Sequence, residues 1–422
     1  MINYQKLLLA SLLAVVVFAG CKKANSDVVI TPEVVGSGTV KGEVSGIWTR
    51  GSVKRVSGDI IIPEGKSLTI EEGVLVIMDT LAKPEVIVKG NLYVTGTTDN
   101  PVRFTIEENL RTDSRKFGKL WGGILAAQSC SELLLENAIV EYGGGTTTES
   151  STSVKMGLYK ATSGENLPAL WYSNVNGKLV VTNCIFRNFF EDCTYIEGGK
   201  IIFSNNKFYT TGLTGGEGIN IKSGCIADVA YNLFYSNNTN ALKLSNSGDR
   251  TPQAHVIAYN NTLLNTGWRR PTVKGGSVWL EATVFAELYN NLFANTRFGI
   301  KRDTKKPEDT RSVISNNLYY GYDQLTVDQF QPSKDVVAGK KDVIGTKAGE
   351  NDPKFVSYPL NTAVSSPDFN TGWDFHLQAG SPALGAGITT FTRNFANGVQ
   401  INGTTYTSPA PSSFIGAFGT RN

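Results

Sequence analysis

Histidine and methionine are scarce: the 422-residue chain holds 2 His and 3 Met. With only His255 and His376 available, a His-rich metal centre or a mechanism needing several imidazole bases is excluded. Charge is thin as well. Charged residues make up 18%, and 40 Lys+Arg against 37 Asp+Glu leave a formal net charge of +3. No long-range field of one sign is available to hold a polyanion, so nucleic acid is not an expected partner. The 5 cysteines show no CxxC or other ligand spacing. Cys130, Cys184, Cys193 and Cys225 read as small buried apolar residues with at most one structural disulfide, left open by the sequence; no metal and no cofactor is expected. Amphipathic helices of useful length are missing too. What is plentiful is apolar and aromatic material, 41% hydrophobic with 20 Phe and 16 Tyr, together with 44 Gly. That composition excludes a disordered chain and can fill a large core, as several ordinary domains or one long repetitive one.

The N-terminus reads Met1-Ile2-Asn3-Tyr4-Gln5-Lys6, an apolar run Leu7 to Phe18, then Ala19-Gly20-Cys21-Lys22-Lys23. A positive residue, about a dozen apolar ones and small residues before a cleavage point mark an export signal, too short to span a bilayer. No second run approaches the roughly 20 residues of a transmembrane helix. Phe18-Ala19-Gly20-Cys21 resembles the lipobox of bacterial lipoproteins, which implies cleavage before Cys21 and its acylation. Lys22 at the second mature position resembles lipoproteins sorted to the outer membrane, facing the cell surface or the periplasm. The expected divisions are a signal peptide over 1–20 and a lipidated cysteine with a flexible tether over 21–45.

The centre repeats an Asn followed two residues later by a bulky apolar residue: Asn137, Asn183, Asn206, Asn232, Asn261, Asn291 and Asn317, at spacings of 46, 23, 26, 29, 30 and 26. The first spacing is twice 23 if a coil is interrupted by the polar insert 143–176. Short β-branched or aromatic runs precede each Asn, among them Leu179-Val180-Val181-Thr182 and His255-Val256-Ile257-Ala258-Tyr259. Short strands at a period of 20–50 without helices make a β-solenoid of stacked coils. The Asn is expected to bond its counterparts in the coils above and below, and to tolerate the left-handed bend between strands.

Earlier segments fit the same scheme: Gly58 to Ile77, Val86 to Thr97, Pro101 to Phe104 and Leu120 to Ile124. They resemble the opening coils of right-handed parallel β-helix proteins of the pectate-lyase-like superfamily. Asp352 to Val356, Trp373 to Gly387 and Ile415 to Phe418 resemble that family's closing segment. The resemblance implies an all-β, right-handed single-stranded parallel β-helix of roughly eleven to thirteen coils. The expected body is 46–345, with closing coils and a C-terminal cap over 346–422. It implies no single activity, because this fold hosts lyases, hydrolases, epimerases and inert scaffolds.

Active members of that superfamily hold polysaccharide across the outside of one sheet. Aligning the strand after each Asn gives Thr194 to Glu197, Ile219 to Lys222, Leu242 to Ser245, Val278 to Glu281 and Phe298 to Lys301. Alternation then turns Tyr195, Glu197, Asn220, Lys222, Lys243, Trp279, Glu281 and Lys301 outward, stacked at about 4.8 Å per coil. Tyr195, Asn220, Trp279 and Glu281 are the candidate glycan contacts, rings for sugar C–H groups and polar ends for hydroxyls. Lys222, Lys243 and Lys301 are candidate bases for a lyase, with Arg269, Arg270 or Arg302 to hold a carboxylate, but no dense aspartate cluster flanks them. Glu191 and Asp192 form an adjacent acidic pair expected to face opposite ways.

The sequence thus leads to a lipid-anchored envelope protein that binds glycan or an envelope protein without catalysis. The alternatives are a Ca²⁺-dependent polysaccharide lyase or other carbohydrate-active enzyme, and a structural subunit of an outer-membrane assembly. Ca²⁺ enters only with the lyase.

Overall fold

The computed structural model describes residues 34–421. The signal sequence over 1–20 and the lipidation site Cys21 lie outside the described residues. Short strands dominate, stacked in parallel into a β-solenoid of about 12 turns. Each turn contributes to three faces. The first is an eleven-stranded parallel sheet running from Val34–Val35 to Val313–Ser315. The second climbs from Val86–Val88 through Leu170–Tyr172, Thr194–Ile196, Ile219–Ile221, Leu242–Ser245 and Val278–Glu281 to Ile300–Arg302. The third includes Ile185–Phe189, Lys207–Thr211, Leu233–Asn237, Thr262–Leu264 and Leu292–Ala294. Near the start, the long strand Val53–Ile62 pairs with both later faces and joins them.

Inside the coil, side chains of like kind stack turn upon turn. Phe186, Phe208 and Phe234 lie face to face at centroid spacings of 5.1 Å, and Phe293 stacks on Tyr319 at 4.7 Å. These rings, with Leu, Ile and Val from all three faces, form one continuous fully buried column.

At the corner between the first and third sheets the repeated asparagines divide two tasks that the sequence reading assigned to one. Asn206, Asn232, Asn261, Asn291 and Asn317 point inward and are fully buried. Each Oδ1 accepts from a backbone N–H of the preceding coil, and each Nδ2 donates to the Oδ1 of the next. The Nδ2 to Oδ1 distances are 2.9 Å for Asn206 to Asn232, Asn232 to Asn261 and Asn261 to Asn291, and 3.0 Å for Asn291 to Asn317. Cys184 opens the ladder with its backbone N–H on Asn206, and Asp342 closes it by accepting from Asn317. The left-handed bend lies one residue earlier, at Asn137, Asn183, Asn205, Tyr231, Asn260, Asn290 and Asn316, all with φ between 49° and 59°. Asn137 and Asn183 therefore belong to the bend and not to the ladder. The spacing of 23 between Asn183 and Asn206 hides a one-residue shift of column.

The C-terminal segment departs from the closing coils and cap expected over 346–422. It runs back along the outside of the solenoid and covers two faces. Phe355, Tyr358, Phe375 and Leu377 pack on outward Tyr209, Leu233, Tyr235, Leu264 and Leu318 of the third sheet. Phe395, Val399 and Ile401 pack on Tyr93, Leu134, Val180 and Ile202 of the first, and Ile388 and Phe391 on Ile257, Tyr259 and Tyr289. The bend asparagines hold it in place: Asn260 Nδ2 donates to the Phe414 carbonyl at 2.7 Å, Asn290 to Ile388 at 2.8 Å and Asn316 to Ala386 at 3.0 Å. Asp228, wholly buried, accepts from the Asn394 and Phe395 amides and the Ser408 hydroxyl. The physical cause is that strands such as Leu133-Leu134-Leu135 and Ile201-Ile202-Phe203 are apolar on both faces and need a cover.

The insert expected over 143–176 ends earlier, because Leu170–Tyr172 is already a strand of the second sheet. Its short helix Thr152–Lys155 is tied down by Glu85, whose carboxylate accepts from the Ser153 amide at 2.7 Å and hydroxyl at 2.9 Å. The four cysteines are free and buried in the core, and burial pushes the Cys130, Cys184 and Cys225 thiols up to about 12.

The two asparagine columns respond differently to mutation. Asn261→Ala orphans the Asn232 amide donors and the Val229 carbonyl, and is expected to cost about 3 kcal/mol or more, with Asn261→Gly no better. Asn183→Ala should cost about 1 kcal/mol from the left-handed backbone alone, with Asn183→Gly close to wild type. Urea midpoints of the four variants check the division; recovery of Asn261 by glycine would refute it.

Candidate functional site

Two of the three outer faces lie beneath the C-terminal segment, so the second sheet is where the solenoid presents side chains outward. Its strand register places Ile87, Leu125, Trp171, Tyr195, Asn220, Lys243, Trp279 and Lys301 in one outward row. The first three are buried, because Leu158, Tyr159 and Leu167 of the insert lie over them. From Tyr195 onward the row turns polar. Tyr159 packs edge-on against both Trp171 (6.3 Å) and Tyr195 (5.4 Å) and marks the boundary.

Tyr195, Lys243, Trp279 and Lys301 are each part-exposed, whereas Asn220 is 4% exposed. The row agrees with the sequence alignment for its first four strands. It differs at the fifth, since Phe298 and Gly299 have positive φ and form a turn, so that the strand starts at Ile300 and Lys301 lines up with Trp279. A second outward row, two residues on, contains Glu197, Lys222 and Glu281. Glu281 is its hub: Lys243 and Lys222 approach at 3.5 and 3.8 Å, and the Trp279 indole N–H donates at 2.7 Å. Burial raises the cost of its charge, but Lys243 and the Trp279 bond outweigh this and hold the carboxyl below its ordinary range. Burial and the neighbouring Lys243 push the Lys222 ammonium down, and its Nζ sits 5.5 Å from the Tyr195 ring centre. Lys301 pairs with Asp335 at 3.1 Å.

The arginines do other work. Arg269 donates to the Thr211, Gly212 and Ser236 carbonyls, Arg302 pairs with Glu308, and Arg270 donates to the Thr239 hydroxyl. Glu197 accepts from the Trp171 indole at 2.6 Å. Both histidines sit away from this face. His255 bonds Glu287 on the first sheet, and His376 bonds Asp374 in the hairpin of the C-terminal segment.

Sequence reasoning named the acidic pair Glu191 and Asp192 but missed Glu217 and the corner that the three form. Asp192 and Glu217 each stand two residues before a strand of the second sheet, in the turns that lead into Thr194 and Ile219. Stacked turns bring them side by side. Asp192 Oδ1 accepts from the Gly216 and Glu217 amides at 3.2 and 2.9 Å, and its Oδ2 accepts from Asn220 Nδ2 at 3.0 Å. Glu191 joins them, because in a turn the alternation that would send it away does not apply. Its carboxylate fills the space where a Cβ on Gly215 would lie, 1.5 Å from Oε1. Burial and the adjacent Asp192 push Glu191 up to about 7 and push Glu217 well above its ordinary value. The signal was available by counting two residues back from each aligned strand.

Shallow cavities flank the row and do not enclose it. Grooves of about 400 and 390 Å³ share Gln128 and Arg250 near the turns that lead back to the first sheet. Among the described residues, no group of three or more His, Cys, Asp or Glu side chains is arranged to hold a metal ion. No protein-family model matches the chain, and neither a curated protein nor a solved structure matches it.

The acidic corner sets a measurable pH response. Glu191 binds its proton more tightly folded than unfolded, so its contribution to stability falls as pH rises from about 4.5 towards 7 and is level outside that window. Glu191→Gln should flatten this part of a melting-temperature profile between pH 5 and 8; an unchanged slope would show that the carboxyl is ordinary.

Proposed function

We propose that this chain is a lipid-anchored envelope protein that binds a glycan along the open half of the second sheet without transforming it. One observation carries the reading. Apolar outward rows on all three faces are covered, by residues 346–421 or by the insert, while the stretch from Tyr195 to Lys301 keeps rings and hydrogen-bonding groups side by side and part-exposed. Indole and phenol faces stack on sugar C–H surfaces, and the neighbouring ammonium and carboxylate groups engage hydroxyls, while the buried Asn220 amide is not among the contacts. An open row flanked by shallow grooves suits a polymer lying along it better than an enclosed small molecule. The export signal and the lipobox-like Cys21 support anchoring in the outer membrane, at the cell surface or on the periplasmic side.

A second reading, a carbohydrate-active enzyme, is favoured by the acidic corner. A carboxyl that keeps its proton near neutrality beside another carboxyl is what glycoside hydrolysis requires of a general acid. The lyase version, with Lys222, Lys243 or Lys301 as base and Ca²⁺ as cofactor, has less support, since each of these lysines already engages Glu281 or Asp335.

The test is a polysaccharide panel on the form lacking residues 1–21, recording both retention and new chain ends. Retention without product is expected, weakened about tenfold by Trp279→Ala. Product lost in Glu217→Gln would replace the binder by an enzyme. Silence on every glycan would redirect the search to an envelope protein or a structural role.

A further inference from the structure

The bend column at the corner between the first and third sheets is a line of hydrogen-bond donors that is only partly used. Seven residues stand in it, and five donate to backbone carbonyls: Asn137 to Gly96 at 3.1 Å, Tyr231 to Ala410 at 2.7 Å, Asn260 to Phe414, Asn290 to Ile388 and Asn316 to Ala386. Four of those carbonyls belong to the C-terminal segment. Its stretch from Pro409 to Gly416 follows the corner from Tyr231 to Asn290, whose carbonyl accepts from the Gly416 amide. On the coils before Tyr231 the segment has crossed to the first sheet, where Ser408 meets Asp228 and Asn402 meets Glu132.

Asn183 and Asn205 are the two that remain. Both are exposed, both hold the left-handed bend of the column (φ 55° and 58°), and neither side chain takes part in a hydrogen bond among the described residues. They line a groove of about 350 Å³ together with part-exposed Ile139, Ile185 and Pro101. Lys207 lines it too, paired in register with Ile185; it is exposed and forms no ion pair among the described residues.

We propose that this groove holds a peptide segment of a partner protein, irregular in backbone, apolar over Ile139 and Ile185 and carrying a carboxylate for Lys207. The occupant follows from continuity with the contact already made. Every engaged donor of the column binds a peptide carbonyl, and Asn183 and Asn205 extend the same column by two coils. Amide donors at fixed spacing suit an acceptor that repeats along a chain, and a segment outside helix and sheet leaves its carbonyls free for them. Proline favours such a segment by removing backbone donors, as Pro409 and Pro411 do in the stretch above. Lys207 adds attraction for an acidic side chain, which a neutral glycan does not supply. The inference is independent of the glycan reading, which concerns a different face.

The probe is a labelled, acetylated and amidated nonapeptide with the sequence of residues 408–416, with versions carrying one aspartate at each position in turn and matching asparagine versions. Fluorescence anisotropy on the form lacking residues 1–21 should show the best aspartate peptide binding at least about tenfold tighter than its asparagine counterpart, and Lys207→Gln should erase that gap. Asn183→Asp and Asn205→Asp keep the size of the side chain and its tolerance of the bend but put an acceptor where the donor stood. Each should weaken the neutral peptides about tenfold as well, with melting temperatures confirming the fold. Trp279→Ala should leave peptide affinity untouched, which separates this groove from the glycan row. No binding by any peptide, or binding that survives both aspartate variants, would overturn the proposal. So would another occupant. Affinity that appears only once residues 22–33 are also removed would give the groove to this chain's own segment. A dimer in sedimentation that Asn205→Asp dissolves would give it to a second copy, and glycan retention lost in that variant would give it to carbohydrate.

Discussion

The structure depends on the satisfaction of backbone amides at the inner corner between the first and third sheets. A parallel coil must turn there with little room for water, and each buried N–H left alone costs more than most single contacts contribute. The asparagine ladder supplies the missing acceptors from within, one residue per coil, and each amide also donates to the next. Cooperation follows from that geometry: no rung is complete without the coil after it. It also explains both ends. Cys184 offers a thiol that donates to the Leu135 and Thr182 carbonyls, and Asp342 ends the series as an acceptor that burial makes reluctant to ionise.

The same coil geometry creates a second demand, on the outside. Strands on the first and third sheets carry apolar residues on both faces, and an uncovered apolar surface of that length would associate with other molecules. The C-terminal segment answers this by lying back along the solenoid, and the bend asparagines clasp it. One residue type thus serves opposite sides of the wall. The inward column closes the coil, and the outward column fastens the cover. The second sheet escapes this treatment from Tyr195 onward because its outward residues alternate with the core and are polar or aromatic.

Much of this was legible in the sequence. Period, strand character and turn residues gave the parallel solenoid, and the outward register of Tyr195, Asn220, Lys243 and Trp279 followed from alternation. Three features did not emerge, each for a physical reason. Asn137 and Asn183 look like ladder residues because adjacent columns share a residue type, and only pairing across coils separates them. The path of the C-terminal segment is set by contacts some 150 to 270 residues apart, as between Asn260 and Phe414 or Glu132 and Asn402, which no local pattern encodes. Its need was nevertheless written in strands such as Ile201-Ile202-Phe203, which lack a polar face. The acidic corner was misjudged, with Glu217 unnamed and Glu191 and Asp192 expected to face apart, because all three precede their strands, where alternation gives no direction.

Placement of that corner unites the two halves of the molecule's design. Stacked turns repeat whatever they carry, so a solenoid can gather side chains from distant sequence positions into one line at fixed spacing. Along most of the second sheet this sets opposite charges side by side, Glu281 between Lys222 and Lys243, and Asp335 against Lys301. At Asp192 and Glu217 it brings two carboxyls together, and burial with the neighbouring Asp192 raises the proton affinity of Glu217. The backbone amides of Gly216 and Glu217 and the close approach at Gly215 hold the carboxyls there regardless. The corner is therefore a product of turn geometry and burial, set by the same stacking that aligns the row.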